Sequence, residues 1–296
     1  MVTDASDPHG VAVLDELANE GHRATRFNLS DLRDGSLIFA LDTLELELGP
    51  ALWVSDSTVV WWRRLGSVDT DELDDAESQL VQDEAPHILR GVLAGSGVRW
   101  VDDPFTVARA ETKLLQLKVA SHIGVRTPPT LVTSSWPHAE QFRKAHTSIL
   151  AKALSPGAGI APFVDESTEE DLDFVKTCPV LLQARVPARA DLRVVTVGRR
   201  AWVWRRPRGE STIDWRRSDP SGSGFRLVND STTAVDQSVK LARALGLSMS
   251  AQDWLEGDDD PVFLECNPQG AWLFLDSACD VIVPAITRHL TGGGRS

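Results

Sequence analysis

The chain has 296 residues, with 43 Asp+Glu against 30 Lys+Arg and a formal net charge of −13. The length is about two domains' worth, and the 42% hydrophobic content is enough for a real core. The acidic balance excludes a general nucleic-acid binder, which needs cations to neutralise phosphates. A local anion pocket stays open, because the charge is uneven. Residues 1–100 hold 19 acids and 7 bases, whereas Leu181 to Arg226 hold 11 Arg, no Lys and 4 acids. Such a cationic stretch is either an anion site or a solvated, salt-bridged face. No apolar run approaches the ~18 residues of a bilayer span, so no membrane association is expected. The first seven residues have neither a basic nor an apolar region of the signal-peptide kind. Three cysteines, Cys178, Cys266 and Cys279, have no metal-ligand spacing and read as reduced thiols of a cytoplasmic protein. The seven histidines form no HxxxH pair, which argues against a catalytic zinc site.

In chain order, Val11 to Glu20 carries helical periodicity. Gly21 ends it, and Arg23 to Leu29 reads as a strand, with a very short first strand at Met1-Val2-Thr3. Leu37 to Leu48 and Ala51 to Val54 read as a hairpin, Thr58 to Trp62 as a buried strand, and Glu72 to Leu93 as a long amphipathic helix. Arg99 to Val101 is another strand, and Asp102-Asp103-Pro104 closes this first α/β unit. A helix over Val107 to Ile123, ended by Gly124, opens the second. Strands at Thr130 to Val132 and Ser148 to Ala151 flank a helix near His138 to Ala145, and a loop Ser155-Pro156-Gly157-Ala158-Gly159 follows. The remainder is β-rich: Val180 to Ala184, Asp191 to Val197, Ala201 to Arg205 and Pro261 to Glu265. Helices at Thr233 to Leu245 and Val281 to Leu290 accompany it, and there are no internal repeats.

The chemistry concentrates near the C-terminus. Asp253 lies twelve residues before Glu265 in Phe263-Leu264-Glu265-Cys266-Asn267-Pro268. In a strand Glu265 and Asn267 share a face. If Ser250 to Leu255 pairs with Val262 to Asn267 across the polar turn Gly257 to Asp260, Asp253 reaches that face too. Two carboxylates and an amide oxygen then converge, a hard donor set suited to Mg²⁺ shared with substrate phosphates; a wet strand face is the alternative. Lys152 ends an apolar strand just before the Gly loop, where backbone N–H groups and an ammonium could hold phosphate. Asp191-Leu192-Arg193 places an acid and a base on one strand face, and Asp214-Trp215-Arg216 adds a further Arg suited to bidentate anion contacts.

The order Lys113, Lys152, the Gly loop, Gln183-Ala184-Arg185-Val186, Asp191-Leu192-Arg193, Asp214-Trp215-Arg216, Asp253 and Glu265-Cys266-Asn267-Pro268 resembles the ATP-grasp superfamily. More closely it resembles the microviridin-type ligases that make graspetides. The phrases that carry this are Trp61-Trp62-Arg63-Arg64, Glu111-Thr112-Lys113-Leu114-Leu115-Gln116-Leu117-Lys118-Val119-Ala120, Arg126-Thr127-Pro128-Pro129-Thr130-Leu131-Val132-Thr133 and Asn267-Pro268-Gln269-Gly270-Ala271-Trp272. The resemblance implies an α/β (α+β) ATP-grasp fold: a pre-ATP-grasp α/β domain over residues 1–104, a central lid subdomain over 105–180, and an antiparallel-sheet subdomain with the metal site over 181–296.

The resemblance also implies roles. Lys113 and Lys152 contact ATP phosphates. Gln183, Ala184, Arg185 and Val186 form the hinge that reads adenine, with Asp191 nearby. Arg193 and Arg216 hold the γ-phosphate or acyl phosphate, so Arg193, Arg216 and Lys152 are the catalytic set. Asp253, Glu265 and Asn267 bind Mg²⁺. Arg63, Arg64 and Asp214 meet the peptide substrate, although Trp61-Trp62 also reads as simple core beside two solvated Arg. The implied activity is an ATP-dependent ligase that phosphorylates Asp/Glu side chains of a ribosomally made precursor peptide, leader plus core, and closes ester or amide rings with Ser, Thr or Lys. A homodimer is compatible with it. The rivals are a ligase adding a free amino acid to a protein or small acid, and a catalytically dead nucleotide- or peptide-binding protein. Three departures stand out: the near-absent first strand, Ala184 and Arg185 in place of a hinge acid, and the acidic run Glu166 to Asp173. That run either selects a basic leader or is a solvated helix N-terminus.

Overall fold

The computed structural model describes residues 1–34, 37–40, 45–48, 52–55, 57–152, 154, 163–164, 175–209, 215, 219–229 and 232–292. The N-terminal part is organised by parallel pairing. Val2 bridges Phe27 on one side and Trp62 on the other, and β4 (Val59–Trp61) pairs in parallel with β5 (Arg99–Val101). The short first strand and the expected strand Arg23 to Leu29 thus both contract to single bridge residues, Val2 and Phe27. The hairpin expected over 37–54 is a three-stranded antiparallel meander, β1 (Leu37–Ala40), β2 (Glu45–Leu48) and β3 (Leu52–Val54). Helix α1 (Pro8–Asn19) starts at an Asp7 N-cap with Pro8 in the first turn. After the short α2 (Asp31–Asp34), α3 (Asp75–Gly95) starts later than Glu72, because Asp74 and Glu77 form a reciprocal capping box.

The single helix expected over Val107 to Ile123 is two. α4 (Pro104–Ala110) is capped by Asp103, and α5 (Lys113–His122) restarts after a break at Glu111 and Thr112. The break redirects the chain so that Lys113 begins a helix. The next sheet has the order β6-β9-β7-β8, all antiparallel, from β6 (Thr130–Thr133), β7 (Ile149–Lys152), β8 (Phe163–Val164) and β9 (Val180–Ala184). Helix α6 (Trp136–Ala145) joins Ala139 to its own small core with Ile149, Ala151, Val175 and Leu182.

The C-terminal sheet runs β12-β11-β10-β13-β14, antiparallel throughout. Its strands are β10 (Ala190–Val197), β11 (Arg200–Pro207), β12 (Arg226–Val228), β13 (Met249–Glu256) and β14 (Val262–Asn267). All eight residues of β10 are buried, because both faces of the sheet are covered. On one face Leu192, Val194, Trp254, Phe263 and Cys266 join Leu241 of α7 (Thr232–Ala244) and Leu89 of α3. On the other, Val195, Val197, Trp204 and Ala251 join Ile282 and Ile286 of α8 (Ala278–Leu290) and Val13 of α1. The N-terminal unit thus shares both cores with the C-terminal sheet. No described helix is long and apolar enough to cross a membrane.

β14 is an edge strand, and an edge leaves backbone groups to be satisfied. Gln116 does this from α5. Its Nε2 donates to the Cys266 carbonyl at 2.6 Å and to Ala110 at 2.7 Å, and its Oε1 accepts from the Cys266 N–H at 2.9 Å. Gln116→Leu leaves these buried backbone groups unpaired, so unfolding should become easier by about 2–3 kcal/mol. The thermal midpoint should fall by roughly 3–5 °C; a midpoint that stays put in a thermal melt contradicts this role.

Candidate functional site

Alternation along β10 puts Asp191, Arg193, Val195 and Val197 on one face. Pairing carries that face across the sheet. Arg193 lies opposite Asp253, and Asp253 lies opposite Glu265. The β13/β14 ladder slips between Asp253 and Trp254, pairing Trp254 with Phe263 and leaving Leu264 without an opposite residue. Such bulges re-aim side chains beside active sites. Here the slip lets Trp254 and Phe263 stay in the core while Asp253 and Glu265 meet on the other face. Asn267 follows two residues on, opposite Ala251.

Two carboxylates facing each other across neighbouring strands repel. Cations bracket them. Arg193, 5% exposed, donates from Nη1 to Asp253 Oδ1 at 2.6 Å. Lys113, the first residue of α5, puts Nζ 3.5 Å from Glu265 Oε2. Asn267 donates from Nδ2 to Glu265 Oε1 at 3.3 Å. Among the described residues no group of three His, Cys, Asp or Glu could hold a metal; the third oxygen of this set is an amide. Two carboxylates plus an amide oxygen at one sheet edge fit a hard cation that keeps positions for phosphate oxygens or water.

The segment after β14 completes the site. Arg193 Nη2 donates to the Ala271 carbonyl at 2.8 Å, and Gln269 Nε2 donates to the Arg63 carbonyl at 2.6 Å. Gly270 lies so close that a Cβ there would sit 2.7 Å from Ala251 Cβ and 2.9 Å from Arg193 Nη2. A cavity of about 540 Å³ opens here, lined by Arg64, Arg193, Asn267 and Glu111 on its polar side and by Trp215 and Phe274 on its aromatic side. The two aromatic rings stack with centroids 5.7 Å apart. Burial pushes the Glu111 carboxyl up.

The structure separates the two expected substrate arginines. Arg64 lines the cavity. Arg63 does not: it is 3% exposed and donates from Nε to Asp7 Oδ2 at 2.6 Å over the Trp61 ring. Its assignment to a substrate carboxylate is corrected to a buried ion pair. Asp191 is likewise engaged, 3.4 Å from Arg206 and 3.6 Å from Arg208. Burial raises its carboxyl against the pull of Arg208 and Arg206. Part of the cationic stretch is therefore an internal ion-pair cluster, which also includes Arg206 with Asp219, while Arg205 pairs with Glu256 at about a third exposure.

Lys152 and the first hinge residues, Gln183 and Ala184, lie on the four-stranded sheet, and Arg185 and Val186 follow its strand β9. Lys152 ends β7 opposite Leu181. Gln183 is buried, donating from Nε2 to Thr130 Oγ1 at 3.1 Å. The Ala184 and Arg185 N–H groups donate to Pro129 and Ser148 carbonyls, both at 2.9 Å, so Val186 is the first residue of the hinge whose N–H has no partner among the described residues. The Gly loop 155–159, the acidic run 166–173, Asp214 and Arg216 lie outside the described residues. Sequence reasoning missed Gln116, Glu111, Asp7 and His9; the Glu111-Thr112-Lys113 phrase, standing at a helix break, was the available signal for one of them.

Gly270→Ala must displace Arg193 or the backbone. It should destabilise the fold by about 1–3 kcal/mol, read by denaturant unfolding, whereas Gly91→Ala, inside α3 with nothing within 4 Å and no positive φ, should be neutral or stabilise by about 0.5–1 kcal/mol. Equal effects at the two positions would contradict the close approach.

No protein-family model and no curated protein matches the chain. Solved structures do. The Chryseobacterium gregarium RiPP-associated ATP-grasp ligase, in complex with ADP and a leader and core peptide, has a TM-score of 0.87 at 23% identity, covering 99% of this chain and 96% of that one. The macrocyclase MdnC from Microcystis aeruginosa MRC, bound with precursor peptide MdnA, has a TM-score of 0.83 at 22% identity, covering 98% of both chains. The ATP-grasp ligase PsnB, complexed with minimal precursor, Mg and ADP, has a TM-score of 0.79 at 18% identity, covering 100% and 97%. Matched end to end by these structures, the chain has the ATP-grasp fold.

Proposed function

We propose that the protein is an ATP-dependent ligase that activates Asp or Glu side chains of a ribosomally made precursor peptide and closes ester or amide rings with Ser, Thr or Lys. The observation that carries this reading is the row Arg193, Asp253, Glu265 with Asn267 beside it, whose Arg193 and Asn267 line a cavity with Arg64 and an aromatic wall. The structural neighbours that bind precursor peptides and nucleotide support it. Three free cysteines agree with a cytoplasmic location. The division into residues 1–104, 105–180 and 181–296 belongs to the same reading, and the separate small core of the middle sheet supports it.

A carboxylate is a poor nucleophile toward an anionic phosphate, so charge must be cancelled on both partners and the two held in line. Asp253, Glu265 and Asn267 would hold Mg²⁺, which when bound supplies charge neutralisation to the phosphates. Arg193, fixed by Asp253 and Ala271, presents a guanidinium to the transferring phosphoryl group and then to the acyl phosphate. Lys113 and Lys152 add positive charge toward the phosphates, and the Val186 N–H is available to adenine. Arg64 draws a peptide carboxylate into the cavity. Phosphoryl transfer gives ADP and a peptide acyl phosphate; a peptide hydroxyl or amine then attacks its carbonyl carbon, phosphate leaves, and the nucleophile's proton is released.

Incubation with ATP, Mg²⁺ and a Thr/Ser- and Asp/Glu-rich precursor peptide should yield peptide lighter by one water per ring, with one ADP each, by mass spectrometry. Glu265→Ala combined with Asn267→Ala should lower that rate at least about 100-fold. A peptide heavier by an amino-acid residue would point instead to ligation of a free amino acid. Unchanged turnover in the double variant would overturn the metal assignment.

A further inference from the structure

The strap 269–273, whose first three residues line the cavity, is held from the N-terminal unit by a buried polar relay. His9, in the first turn of α1, accepts from the Trp272 N–H at 3.0 Å and the Leu273 N–H at 3.3 Å, both on Nε2. Its Nδ1 lies 3.0 Å from Asp7 Oδ1, and its ring meets Trp272 edge-on at 4.9 Å. Asp7 also accepts from Thr3 Oγ1 at 2.9 Å and from Arg63 Nε at 2.6 Å. The Arg63 carbonyl in turn accepts from Gln269. Two amide donors aimed at Nε2 and a carboxylate at Nδ1 leave one consistent arrangement, with the imidazole neutral and its proton on Nδ1.

We propose that His9 is a positioning residue of the ligase cavity, gathering the Trp272 and Leu273 amides so that the Ala271 carbonyl is fixed under Arg193. The proposal rests on the function proposed above for its kinetic consequence, but its structural part is independent of that reading. A proton on Nε2 would turn the acceptor into a donor facing two donors. The charged groups facing His9 are Asp7, Arg63 and Arg64. Burial lowers the His9 pKa, Asp7 opposes this, and Arg63 and Arg64 reinforce it. On Asp7, burial opposes ionisation, yet the hydrogen bonds from His9 and Arg63 outweigh it and keep the carboxyl well below the usual carboxylate range. The sign follows: the folded His9 pKa lies below the ordinary value of about 6.5, so the relay is intact at neutral pH and persists below 6.5 until pH falls through that lowered folded value.

The test uses the full chain and two readouts. Hydrogen exchange of the 270–273 amides, corrected for intrinsic rates, should lose protection about 10- to 30-fold as pH falls through the lowered His9 pKa, while α8 amides keep theirs. His9→Phe should show that loss already at pH 7.5, and His9→Gln, whose amide oxygen can accept, should restore most of it. In peptide-dependent ADP release, wild type should show an acid limb below pH 6.5 that is absent in His9→Gln, with His9→Phe lowered in kcat more than raised in peptide KM. Protection of 270–273 that does not change with pH, or an acid limb unchanged in His9→Gln, would overturn the proposal. If His9→Phe does not fold, the wild-type exchange profile alone decides. If wild type makes no peptide product, the ligase reading fails, while exchange still decides the role of His9.

Discussion

Two carboxylates set face to face on neighbouring strands are the constraint from which the site is built. Asp253 and Glu265 are directly opposite, an arrangement that a sheet tolerates only with positive charge close by. Arg193 supplies it on one side at 2.6 Å and Lys113 on the other at 3.5 Å. The row runs cation, anion, anion, cation. It is preorganised electrostatics of the kind that costs no rearrangement when charge develops in a reaction. A buried pair of this sort contributes little net stability, since desolvation offsets the attraction; its value lies in fixing where the charges are.

The rest of the molecule serves that placement. Gln116 fixes the backbone of β14, and Lys113, three residues earlier on the same helix, shares its face. Gly270 permits the strap to lie against Arg193 and Ala251. The strap is tied to the first unit through His9 and the Arg63 carbonyl. Two hydrophobic cores run through both the first unit and the C-terminal sheet, which keeps those ties rigid. The middle sheet, with its own small core, carries Lys152 and the hinge on a separately built element.

Alternation made β10, β13 and β14 legible in the sequence, together with the shared face of Asp253, Glu265 and Asn267. The slip that leaves Leu264 unpaired was not legible, because register depends on which rows the core accepts rather than on local pattern. The break at Glu111 and Thr112 was hidden, since apolar spacing continues across it. Arg63 and Arg64 could not be told apart by type; the tertiary partner Asp7, 56 residues away in sequence, decides. The cationic stretch from Leu181 to Arg226 read as an anion site or a salt-bridged face, and it contains both. Arg193 opens on the cavity, while Arg205, Arg206 and Arg208 pair with acids. The net charge of −13 therefore coexists with a local site for a compact polyanion.

The most direct test of the charge row is calorimetric titration of ADP with and without Mg²⁺. Mg²⁺ should tighten ADP binding at least about tenfold in wild type, and Glu265→Ala should remove this dependence while leaving the fold intact. ADP binding that ignores Mg²⁺ in wild type, or a dependence that survives Glu265→Ala, would contradict it.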